Sequence, residues 1–267
     1  MMRQNRISHV SGIQAFCKAN YVYLAIPKNG LCTHTEFFER KGWRPRNIME
    51  LASVCGTQLI YISHIRKPIN RYIKGIVQSF KNSDTIDGFI DKMEKDPTYL
   101  RHILTSTNDD HTSSIWSMFP PQISPYQVNW IPMDHPKWSS NFLTNQLFRE
   151  LNLPYKIEEK DITHISDAYP KKVQQFITKK MLKKDGELQP GYGAFFSSLL
   201  SEDQNIYDYV MAQYKVREPF YEDIFLEEFP EISPYQPHWY TTEEEEEKIK
   251  ELEVKMNDDR PAVLKFL

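Results

Sequence analysis

The stretch Tyr21–Phe38, YVYLAIPKNGLCTHTEFF, holds the residues best suited by type and spacing to do chemistry. Pro27, Lys28, Asn29, Gly30, Leu31, Cys32 and Thr33 form a short loop carrying a lysine and a glycine. Before it runs the apolar, β-rich segment Tyr21–Ile26, which reads as a buried strand. After it, from Thr33 or His34 on, the residues suit a helix, with Thr33 or Thr35 as N-cap and Glu36 in the first turn. Strand, tight loop and helix start, in that order, make a phosphate-binding arrangement. Loop N–H groups and the helix N-terminus converge on an anion, and Lys28 adds a full positive charge. This is not the loop of nucleotide triphosphatases, GxxxxGK[ST], in which the lysine follows the second glycine. Here Lys28 precedes the glycine and follows a proline.

A second cationic cluster lies in His64–Phe80, HIRKPINRYIKGIVQSF. Gln58–His64 reads as the second strand, Arg66 stands at its end, and Pro68 opens the next helix. Arg71 and Lys74, three residues apart, share one face of that helix. A strand end followed by a cationic helix start is a second anion site.

The two stretches together resemble the sulfotransferases that use 3′-phosphoadenosine 5′-phosphosulfate (PAPS), especially the carbohydrate and heparan type. IPKNGLCT is similar to the family's 5′-phosphosulfate loop, near IPKTGSTS. Arg66, Pro68 and Arg71 fall in register with its 3′-phosphate motif, roughly RDPxxRxxS. Lys74 replaces the motif's serine, and the two motifs stand closer together than is usual in the family. In outline the resemblance covers about Tyr21 to Asp223. It implies an α/β, P-loop-like sulfotransferase fold: a central parallel sheet flanked by helices, with the nucleotide at the C-terminal strand ends. It further implies transfer of a sulfuryl group to an acceptor hydroxyl or amine, the acceptor being a carbohydrate by preference, with no metal. Lys28 would stabilise charge on the leaving oxygen, residues Pro27 to Thr33 would hold the 5′-phosphate, and Arg66 and Lys74 would hold the 3′-phosphate. The acceptor needs a base, for which His111 and Glu36 are the candidates, with His64 behind them. His111, after Asp110 and ahead of Gln122, resembles a family segment near the acceptor pocket. Asp134 after the strand Val128–Met133 resembles the family's strand–acid step. His164 and Ser166 lie on a loop that in the family runs over the nucleotide. Trp116, Trp130 and Trp138 are candidates to stack on sugar rings, or else belong to the core.

The remaining pattern sets the frame for these residues. With 267 residues and 40% hydrophobic content, one sizeable domain is expected, residues 1–228, followed by a Pro- and aromatic-rich linker and acidic helix, 229–267. No apolar run approaches the ~20 residues of a membrane span. The N-terminus lacks the apolar core of a signal peptide. Three cysteines, Cys17, Cys32 and Cys55, have no metal-ligand spacing, and a reducing cytoplasm is the expectation. From Tyr221 on, 14 acidic residues face 5 basic ones, a net −9; the chain total of −3 therefore leaves +6 on the rest. That body suits an anionic ligand and is too weakly basic for nucleic acid.

Helices are expected at Thr35–Lys41 (ending near Gly42), Ile86–Lys95, Ser139–Leu151 and Gln204–Tyr214, a helical turn at Asn47–Ser53, and a basic helix or turn at Lys171–Lys184. Ile7–Asn20 reads as irregular or a short helix, and Trp43–Arg46 as a turn. In the tail, five glutamates, Glu243–Glu247, precede Lys248 and Lys250, and Ile249, Leu252 and Met256 make a narrow apolar stripe, a candidate homodimer contact. ISPYQ occurs twice, at Ile123–Gln127 and Ile232–Gln236, each time with a tryptophan three residues on. Two other readings compete with a sulfotransferase: a P-loop-like small-molecule kinase, and a non-catalytic anion- or glycan-binding module.

Overall fold

The computed structural model describes residues 13–27, 31–53, 59–78, 80, 86–105, 112–158, 171–184 and 186–228. The expected tail, residues 229–267, lies outside them, as do His164, Ser166 and the second ISPYQ copy. The chain divides into two compact units, Met1–Trp130 with His164–Tyr207, and Ile131–Thr163 with Asp208–Leu267.

The first unit is built on an open sheet in the order β3-β1-β2-β4-β5. Its strands are β1 (Gln14–Lys18), β2 (Tyr21–Ala25), β3 (Arg44–Arg46), β4 (Ile60–Ile65) and β5 (Val128–Pro132), the last running across the unit boundary. The fold is α/β with helices flanking the sheet, but the sheet is mixed and not wholly parallel as expected. β1 pairs antiparallel with both β2 and β3, whereas β2 and β4 are parallel. The cause is local. Only Ala19 and Asn20 separate β1 from β2, and so short a connection can make only an antiparallel hairpin. Ala19 takes φ 53°, a left-handed conformation unusual for alanine. β3 is an exposed edge strand with Pro45 opposite Phe16; an edge tolerates a residue that cannot donate to a ladder.

Between β2 and β4 the chain forms α1 (Leu31–Arg40), β3 and α2 (Ile48–Ser53). α1 lays Phe37 and Phe38 inward. Phe38 stacks on Tyr23 of β2 with centroids 4.3 Å apart and meets Trp43 edge-on at 4.6 Å. All four rings are almost wholly buried, and each contributes roughly 1.5–3 kcal/mol by leaving water. α1 ends as expected near Gly42. Gly42 has φ 80°, its N–H reaches Glu39 O at 2.9 Å, and Trp43 N–H reaches Phe38 O at 3.0 Å. This paired closure satisfies carbonyls that the helix end would otherwise orphan.

A second apolar cluster joins α3 (Pro68–Gln78), α4 (Ile86–Lys95), α5 (Pro97–Leu104), α8 (Lys171–Met181) and the start of α9 (Gly193–Glu228). α3 supplies Ile69, Tyr72, Ile73, Ile76 and Val77, the apolar stripe of its 3.6-residue period. α5 is introduced by Asp96, whose carboxylate accepts from Thr98 N–H and Tyr99 N–H at 2.9 and 3.0 Å, with Pro97 at the first helical position. The first ISPYQ copy forms a 3-10 turn at Pro125–Gln127, and the Trp130 indole donates to Pro125 O at 2.7 Å. The tryptophan three residues on thus anchors the proline turn.

The second unit packs α7 (Ser140–Glu150) with the later part of α9. The Ser139 hydroxyl caps α7 by accepting from Phe142 N–H, and Asn152 at φ 53° closes its C-terminus as Gly42 closes α1. Trp138 stacks on Phe142 at 5.2 Å, and Phe142 meets Tyr221 edge-on. Lys137 bridges Glu218 and Glu222 at 3.2 and 2.9 Å. α9 runs on past Tyr214 and through Pro219 to Glu228, well beyond the expected end.

Candidate functional site

The parallel pair β2–β4 sets the site. Its register runs from Tyr21 opposite Ile60 to Leu24 opposite Ser63. The Ser63 hydroxyl donates to Leu24 O at 2.6 Å. The two strands therefore end side by side, and Pro27 and Arg66 follow the C-terminal ends of neighbouring strands. Pro27 is buried and Arg66 partly exposed. Lys28, Asn29 and Gly30 lie outside the described residues, between Pro27 and the first residue of α1.

α1 begins at Leu31, two or three residues earlier than the sequence suggests. Leu31, Cys32 and Thr33 thus form its first turn, where backbone N–H groups have no partner within the helix. Glu36 falls past that turn, which holds no acid, so it does not meet the positive end of the helix dipole as expected. It is half-buried, and its carbonyl accepts from Arg40 Nε at 3.3 Å. His111, the other candidate base, lies outside the described residues.

A buried aromatic cluster joins α1, β2 and β4. His34 of α1 and His64 of β4 stack with centroids 3.6 Å apart, and the Tyr23 hydroxyl lies 3.1 Å from His64 Nδ1. Burial, then the neighbouring His34 and Arg66, hold His64 well below the usual histidine range. Burial likewise pushes the Tyr23 phenol far up. His64 is therefore a neutral core residue closed to an acceptor. It is not the reserve base suggested by sequence.

The second cationic stretch divides into two kinds of residue. Lys74 is half-buried on α3. Arg71, three residues before it, is fully buried. Its Nε donates to Pro27 O at 3.1 Å and its Nη1 to Ser113 O at 2.5 Å, and Nη2 lies 3.8 Å from Met118 Sδ. Asp203 of α9, also fully buried, accepts from the Ser114 hydroxyl at 2.6 Å and from Ile115 and Trp116 N–H at 2.7 and 2.9 Å. Burial raises its pKa, and the Arg71 charge and these hydrogen bonds pull it back down. The role of Asp203 gives no signal in the sequence. Nor does the burial of Arg71, which lies opposite the apolar stripe of α3.

Of the three tryptophans offered for sugar stacking, Trp130 and Trp138 are buried and belong to the core; Trp116 is partly exposed. Among the described residues no group of three or more His, Cys, Asp or Glu side chains is placed to hold a metal ion, and no helix is long and apolar enough to cross a membrane. No family model, curated protein or solved structure matches the chain.

Proposed function

We propose that the protein is a sulfotransferase that moves a sulfuryl group from PAPS to a hydroxyl or amine of an acceptor, a carbohydrate by preference. One observation carries this reading. Pro27 and Arg66 follow the C-terminal ends of adjacent parallel strands, and the first turn of α1 begins four residues after Pro27. A nucleotide phosphorylated at both ends needs two such anion sites a short way apart. The residues suit it chemically. The Leu31–Thr33 amides and Lys28 suit the 5′-phosphate, and the Arg66 and Lys74 cations suit the 3′-phosphate. The donor brings an activated sulfur whose bond to the leaving phosphate oxygen breaks as the acceptor oxygen or nitrogen attacks. Lys28 meets the negative charge that gathers on that leaving oxygen. His111 is the candidate to take the acceptor proton, since His64 is closed off in the core.

Calorimetry with 3′-phosphoadenosine 5′-phosphate, set against ATP with magnesium, tests the reading. Binding of the first at micromolar concentration and none of the second is expected. The reverse order points to a kinase and overturns the reading. Labelled PAPS offered with a glycan panel then separates an enzyme from a module that only binds.

A further inference from the structure

Arg71 falls in the second cationic stretch, yet its guanidinium does not face solvent. It is wholly buried and donates to the Pro27 and Ser113 carbonyls, at 3.1 and 2.5 Å. A buried guanidinium is tolerable only where hydrogen bonds and an opposite charge compensate its lost hydration. The carbonyls provide the first, and the Asp203 carboxylate, held by the three residues that follow Ser113, provides the second. Asp203 in turn holds the start of the short helix α6 (Ile115–Met118) through the Ile115 and Trp116 N–H groups, while Ser114, at the cap position, makes no side-chain cap bond of its own. The order of contact is Pro27, Arg71, Ser113, then α6 and Asp203.

We infer that Arg71 is a positioning residue that fixes the chain at Pro27 against the Ser113–Met118 segment, and is not an anion ligand. Its catalytic consequence rests on the proposed sulfotransferase reading, because Lys28 follows Pro27 directly; its structural consequence does not. Lysine in its place keeps the charge but lacks the planar fork that reaches two carbonyls at once.

The test uses the full chain with Arg71→Lys and, as a milder change, Ser114→Ala, which removes one donor to Asp203. Amide exchange by mass spectrometry is expected to quicken in peptides covering residues 20–33 and 112–120 and to stay unchanged in α8, with the smaller effect in Ser114→Ala. With PAPS, Arg71→Lys is expected to lower kcat about a hundredfold, the cost of a misplaced catalytic group, while KM stays within about threefold. Unchanged exchange in both peptides of the folded variants overturns the inference; if Arg71→Lys does not fold, Ser114→Ala decides. A raised KM at preserved kcat also overturns it, since that is the signature of an anion ligand. If exchange changes as expected but wild-type protein neither binds 3′-phosphoadenosine 5′-phosphate nor transfers sulfate, the positioning role stands and the sulfotransferase reading falls.

Discussion

The imidazoles of His34 and His64 stack with centroids 3.6 Å apart and planes 30° from parallel. The pair fastens α1 to the end of β4 inside the core, and Tyr23 completes it through the 3.1 Å contact with His64 Nδ1. Arg66 follows β4 directly, and Pro27 stands two residues past the end of β2. Tyr23→Phe keeps the ring and its stack on Phe38 but leaves His64 Nδ1 buried without that partner. The expected loss is about 1–2 kcal/mol, read as a lower urea midpoint at constant m-value. An unchanged midpoint would show that the contact adds no net stability.

Acid should weaken the fold, in a direction set by buried histidines. His64 is held well below its ordinary pKa, and burial, with a smaller push from Lys137 against the pull of Glu218, takes His135 down to about 4 from 6.5. The unfolded chain binds protons near pH 6.5 that the folded chain refuses. Stability is therefore full above that pH and falls as pH drops toward 4. His135 Nδ1 accepts from Lys137 and Trp138 N–H, a role that an asparagine oxygen can fill without titrating. His135→Asn should give a shallower slope of unfolding free energy between pH 6.5 and 4 than wild type; equal slopes would rule His135 out as a contributor.

Two backbone positions make opposite predictions. Gly42 closes α1 at φ 80°, so Gly42→Ala should cost about 1 kcal/mol through the left-handed penalty. Ala19 already bears that penalty at φ 53° in the β1–β2 turn, so Ala19→Gly should gain up to about 1 kcal/mol, less the entropy that glycine adds to the unfolded chain. Thermal unfolding midpoints that move the same way in both variants would contradict this account of the two turns.

Several elements were legible because one local signal dominated each. Ile86–Lys95 matches α4 to the residue, and Ser139 with Asn152 marks both ends of α7. β2, β4 and β5 show as short apolar β-rich runs, within two residues of their observed ends. What escaped depended on partners distant in the chain or on weak local signs. β1 is stabilised by pairing on both sides, and its turn lacks the glycine that announces a hairpin. α5 has only its Asp-Pro start as a local sign, inside an otherwise polar stretch. α9 continues through Pro219, where propensity says a helix should stop. At the site, the two cationic stretches could be picked out by residue type, but Arg71 and Lys74 could not be told apart. Helical periodicity puts them on one face; only the fold shows that Arg71 meets the Pro27 and Ser113 main-chain carbonyls.

Kinetics should separate the two cationic stretches by role. Under the proposed reading Lys28→Ala is expected to abolish measurable sulfuryl transfer, because Lys28 would act on charge that develops in the transition state. Arg66→Ala should instead raise KM for PAPS strongly, by about tenfold or more for a lost charge-assisted bond, with kcat far less affected. Wild-type kinetics in both variants, measured with labelled PAPS, would refute these assignments.

The most direct measurement is a crystal structure of the full chain with 3′-phosphoadenosine 5′-phosphate. The expected complex has the 5′-phosphate at Lys28 and the Leu31–Thr33 amides and the 3′-phosphate at Arg66, with one nucleotide spanning the ends of β2 and β4. A nucleotide bound elsewhere, or one that touches only one of the two stretches, would contradict the proposal that they form a single site.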